Sequence, residues 1–107
     1  MTIKEILDAK AKEIESRLPE MIPDHMHDGI LRWLWDGWMP GSFLEAVISN
    51  DFKHACLCAD HINKQSLAQY GEFFTWYMPM DCWGSKEKVA AWHEQGGWNG
   101  MLKKGDT

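Results

Sequence analysis

The sequence predicts an all-α fold, and three observations carry that expectation. Apolar residues recur at helical spacing, capping residues stand directly before apolar runs, and no alternating stretch of β-branched residues suggests a strand. At 107 residues the chain is about one domain, long enough to build one core without disulfide or metal staples. The expected architecture is a compact bundle of about five to six short helices. An N-terminal helix over 1–21 is either docked or extended, a helical core spans 22–97, and a loose tail covers 98–107.

The first element is read over Thr2 to Leu18. Ile3, Leu7, Ala11, Ile14 and Leu18 form one apolar stripe, and Thr2 with Glu5 makes a capping-box pattern. Pro19 and Pro23 bound a short connection, because proline does not continue a helix interior. A second helix is expected from Asp24 to about Asp36, closed by Gly37, with a turn at Pro40-Gly41. Ser42 and Glu45 form another capping-box pattern, opening a short helix to Ile48; Ser49-Asn50-Asp51 punctuates it, and Phe52 to Cys58 forms the next. Asp60 caps a longer helix to about Met78, with Ile62, Leu67, Tyr70, Phe74 and Tyr77 as its stripe and Phe73 and Trp76 flanking it. Ser85 caps a last helix that presents Val89 and Trp92 inward and stops at Gly96-Gly97.

Composition narrows the function classes. The net charge is −5 and the chain has two arginines, Arg17 and Arg32, so no basic face is expected for general nucleic-acid binding. Met1–Leu18 is charged throughout, unlike a signal peptide, and no run of ~18 apolar residues suggests a membrane span. Three cysteines, Cys56, Cys58 and Cys82, do not make a disulfide framework and read as free thiols of a reducing cytoplasm.

Two clusters carry metal or proton chemistry in principle. His54, Cys56, Cys58 and His61 offer imidazole and thiolate, the ligands zinc prefers; on one continuous helix His54, Cys58 and His61 share a face while Cys56 points away. Asp24-His25-Met26-His27-Asp28 holds carboxylates and imidazoles within two turns, although acids in a first turn also satisfy orphan N–H groups. Neither a G-x-S-x-G elbow nor a glycine-rich phosphate loop is present, so no catalytic residue is assigned and the expected protein is not an enzyme.

Seven tryptophans in 107 residues are more than a small core readily encloses. Trp33 and Trp35 are two apart and do not face the same neighbour, while Trp38 precedes a Pro-Gly turn and Trp98 stands in the glycine-rich tail. Trp33, Trp35, Trp38 and Trp98 are therefore the expected partner-contact residues, with Trp38 and Trp98 the more exposed.

Several spaced segments resemble small uncharacterised proteins of phages and prophages. They are Ile22-Pro23-Asp24-His25-Met26, then Pro40-Gly41-Ser42-Phe43-Leu44-x-Ala46-Val47-x-Ser49-Asn50-Asp51, Ala59-Asp60-x-x-Asn63, and Cys82-Trp83-Gly84-Ser85-x-Glu87-Lys88-Val89-x-x-Trp92. The resemblance covers about three-quarters of the chain and carries no established activity; the His54/Cys56/Cys58 cluster lies outside the pattern. It implies a helical module that binds a host protein in the bacterial cytoplasm, in the manner of anti-defence inhibitors of restriction or CRISPR factors. The alternatives are a zinc-binding protein using His54, Cys58 and His61, and a self-assembling component with tryptophan faces buried between copies.

Overall fold

A computed structural model describes residues 1–105, and every regular element among them is helical. There are eight α-helices where the sequence suggested five or six: α1 (Ile3–Met21), α2 (His27–Asp36), α3 (Ser42–Ile48), α4 (Phe52–Cys58), α5 (His61–Lys64), α6 (Leu67–Tyr77), α7 (Lys86–Gln95) and α8 (Gly97–Gly105). Two 3₁₀ turns, Asp24–Met26 and Met80–Cys82, lead into α2 and precede α7. Among the described residues no helix is long and apolar enough to cross a membrane.

The Thr2 hydroxyl accepts the Glu5 N–H at 3.1 Å, and α1 buries Leu7, Ala11, Ile14 and Leu18 while Ile3 stays exposed. The helix is docked: its stripe belongs to the same core as the rest of the chain, against α6 and α8. It also runs through Pro19 to Met21 rather than stopping at Leu18. The proline costs one hydrogen bond, to the Glu15 carbonyl; Glu15 and Pro19 both face solvent, where water substitutes for the lost donor.

Three other expectations are revised. The helix expected from Asp24 begins as a 3₁₀ turn, and Asp24 lies inside it without capping. Ser42 is the first residue of α3, and extended Gly41 is its N-cap, so the capping box does not form. The long helix from Asp60 breaks after Lys64. Asp60 caps only α5, where it accepts the Asn63 N–H at 2.7 Å, and Gln65 and Ser66 turn the chain before α6 starts. The Ser66 hydroxyl bonds back to the Ile62 carbonyl at 3.5 Å, the kind of local contact that competes with helix continuation. Asn50, at φ 61°, ends α3 in the left-handed conformation that asparagine tolerates. Asp51 and Ser85 cap α4 and α7 by accepting the N–H groups of His54 and Lys88.

The tail expected to be loose over 98–107 is helical through Gly105, and residues 106 and 107 lie outside the described residues. Gly96 and Gly97 both adopt positive φ, reversing the chain out of α7 and directly into α8. Helix α8 lies on α2 and α7, buries Trp98 edge-on to Trp35 with centroids 5.2 Å apart, and bonds Asn99 Nδ2 to Asp36 Oδ1 at 2.8 Å. Its glycines lower intrinsic helix propensity, but tertiary packing supplies most helix stability.

The centre of the core is Trp33. It is wholly buried; its indole N–H donates to the Cys82 carbonyl at 2.9 Å, and its own carbonyl accepts the Trp92 indole N–H at 2.8 Å. One turn on, the Gly37 carbonyl accepts from His93 Nδ1 at 2.7 Å. Here two backbones touch: a Cβ on Gly97 would lie 2.7 Å from the Trp35 carbonyl oxygen and from the Gly37 nitrogen, and both glycines have φ of +66°.

A pair of glycine substitutions separates packing from propensity. Gly97→Ala should destabilise the protein by at least ~2 kcal/mol, from left-handed strain plus backbone overlap. Gly71→Ala, in α6 with nothing within 4 Å of the added Cβ, should stabilise it by about 0.5–1 kcal/mol. Chemical denaturation of both variants measures the contrast.

Candidate functional site

Stretches distant in sequence meet in space. His25 and Met26 from the turn before α2, Pro40 to Leu44 leading into α3, Cys58 at the end of α4, and Asp60 and Asn63 around α5 line one open groove of about 440 Å³. That volume is within the range of about 300–1,000 Å³ common for ligand sites. Met26, Pro40, Phe43 and Leu44 make its lining mainly apolar.

Its polar side is a hydrogen-bonded chain. A carboxylate only accepts, so His25 donates through Nε2 to Asp60 Oδ2, at 3.0 Å. The other Asp60 oxygen takes the Asn63 backbone N–H. Among the described residues Asn63 is the buried polar one, and its Oδ1 accepts the Tyr70 hydroxyl at 2.7 Å. Phe43 meets the Tyr70 ring edge-on, with centroids 5.1 Å apart. The Asn63 N–H holds the Asp60 carboxyl below its usual 3.8, desolvation opposes this, and the His25 hydrogen bond and charge reinforce it. Burial, with the Asp60 charge behind it, pushes the Tyr70 phenol above its ordinary value.

The acidic and histidine cluster of 24–28 therefore divides. His25 pairs with Asp60 from the far side of the groove, whereas His27 donates to the Ile22 carbonyl at 2.7 Å, with Asp24 4.0 Å away. Sequence reasoning recognised Asp60 as a cap and missed its pairing with His25, which joins positions 35 residues apart. Local spacing carries no signal of that pairing, because the two residues meet only when the chain folds.

The tryptophans separate into core and surface. Trp33 is 0% exposed and Trp98 4%, so neither presents a contact surface, and the expected exposure of Trp98 is corrected by the docking of α8. Trp35 is half-buried against Trp98. Trp38 is 59% exposed, with the Arg32 guanidinium 5.5 Å from its ring centroid. Trp76, at 77%, is a large exposed ring that spacing does not reveal, since it follows buried Phe73 by one turn. Its exposure depends on what packs against the end of α6.

The three expected zinc ligands do not share a helix. Helix α4 ends at Cys58, Ala59 and Asp60 are extended, and His61 begins α5. His54 faces a different depression, with Ser49, Asp51 and Lys86, while Cys58 lines the groove. Among the described residues no group of three or more His, Cys, Asp or Glu side chains is placed to hold a metal ion. A second cleft, of about 450 Å³, lies over Trp92 and Trp98, with Lys10, Glu13 and Asp81 bringing both signs of charge to it. No family model, curated protein or solved structure matches the chain.

Two measurements probe this geometry. A carboxyl depressed in the fold contributes stability above its unfolded pKa and loses it as pH falls through the folded one. The Tm advantage of the wild type over Asp60→Asn should thus be full above about pH 5 and disappear as pH drops below 3.8. Thiol labelling gives the second. Cys56 and Cys58 are partly exposed and should react in the native protein; Cys82, wholly buried and pushed by that burial to about 12, should react only on unfolding.

Proposed function

We propose that this chain is a small non-enzymatic binding protein of phage type, acting on a host protein in the bacterial cytoplasm by stoichiometric contact. The observation that supports this best is what flanks the groove. Large exposed apolar side chains stand one or two residues before its lining residues in sequence: Trp38 and Met39 before Pro40, Leu57 before Cys58, and Ile62 before Asn63. Exposed aromatic and methionine side chains close in sequence to an apolar depression match the composition that protein interfaces favour. The resemblance to phage and prophage proteins supplies the setting, since such elements commonly act by redirecting host factors, including restriction or CRISPR effectors. Trp38 is the contact residue retained from the sequence reading; Trp33 and Trp98 serve the interior instead.

Affinity-tagged protein incubated with host lysate should retain one host protein in stoichiometric amount. Trp38→Ala should weaken that complex by about tenfold or more, with a thermal melt like the wild type. Recovery of nothing beyond the bait would overturn the proposal. A mass that grows with concentration in light scattering, with no host protein retained, would replace it by self-assembly.

A further inference from the structure

We infer that the groove receives an arginine side chain of the partner protein, its aliphatic stem against the apolar wall and its guanidinium on Asp60. This rests on the binding function proposed above and names the chemistry of its contact.

The argument begins with the acceptor. An ionised carboxylate has about four lone-pair sites; Asp60 accepts the Asn63 N–H on one oxygen and the His25 ring on the other, with a weaker pull from the Ile62 N–H, so part of that capacity stays open. The Asp60 side chain is 53% exposed, so acceptor capacity faces the opening. Its hydrogen bonds fix the carboxylate in place before anything arrives, and pre-organisation of that kind lowers the cost of binding.

The wall then selects the stem. Met26, Phe43 and Leu44 offer hydrocarbon beside a charged acceptor, and long basic side chains suit that combination because their methylenes pack while the head stays polar. Charge complementarity points to an outside cation. The groove is lined by an aspartate and a histidine, no lysine or arginine lines it among the described residues, and the protein as a whole carries −5. Lys64, on α5, stands outside the lining. Arginine fits better than lysine, because its planar fork gives two parallel N–H groups to one carboxylate, whereas an ammonium acts as a point charge.

The test uses the full chain, labelled with ¹⁵N, and two probes of nearly the same shape. Butylguanidinium carries the arginine stem and head, and butylurea is its neutral counterpart. Saturable amide shifts at Met26, Phe43 and Asn63, with butylguanidinium binding at least about fivefold more tightly than butylurea, are the expected result. Asp60→Asn should erase that preference while leaving the apolar contribution. Gly29→Met should block both probes, because a Cβ at Gly29 reaches Leu44 Cδ2 at 3.8 Å, an ordinary contact, and the longer chain extends into the groove. Equal affinity for the two probes, a preference that survives Asp60→Asn, or shifts confined to other surfaces would overturn the inference. Lysate capture by the same variants keeps the two proposals apart. A host protein held equally well by wild type, Asp60→Asn and Gly29→Met would sink the arginine site and leave the binding function standing. Selective butylguanidinium binding with no host protein retained would do the reverse.

Discussion

The Trp33 indole is the piece around which the rest of this molecule is arranged. Its ring fills the middle of the core, its N–H reaches the Cys82 carbonyl, and the carbonyl of the same residue holds the Trp92 ring in place. One residue thus links α2 to the turn before α7 and to α7 itself. A buried indole without a partner for its N–H carries a desolvation cost of about 1–3 kcal/mol; here each of the two N–H groups has a backbone acceptor. The approach of α2 to the α7–α8 junction follows from the same contact. Gly37 and Gly97 let the two backbones come within a distance that admits no Cβ.

That closure explains why the C-terminal segment is ordered as a helix. Once Gly96 and Gly97 have reversed the chain, Trp98 can only lie back over Trp35, and its apolar area offsets the poor propensity of a glycine-rich sequence. Tryptophans that looked like surplus for a small domain are largely absorbed this way, with Trp33, Trp92 and Trp98 all in the interior. Trp38 and Trp76 are left for the surface.

The groove has a different origin. It is bounded by element ends: a 3₁₀ turn before α2, the linker into α3, and the extended pair Ala59-Asp60 between α4 and α5. Helix ends leave unpaired N–H and carbonyl groups that need capping, and Asp60 meets one of them at Asn63 while still reaching His25. Capping and site geometry therefore share a residue. This joint role is why a purely structural reading of Asp60 from local sequence was correct as far as it went and incomplete.

Local rules decided a good deal. The all-α class, the buried stripe of Leu7, Ala11, Ile14 and Leu18, the caps at Thr2, Asp60 and Ser85, and the helix stops at Gly37 and Gly96 follow from contacts a few residues apart, which spacing and residue type encode directly. Only the folded chain decided which tryptophans are interior, that 97–105 is helical, that the Asp60 helix breaks before α6, and that His25 answers to Asp60 across the groove. Those outcomes depend on burial and on pairing between distant positions, where a propensity of a few tenths of a kcal/mol is overruled by packing worth ~3–5 kcal/mol for a single buried aromatic ring.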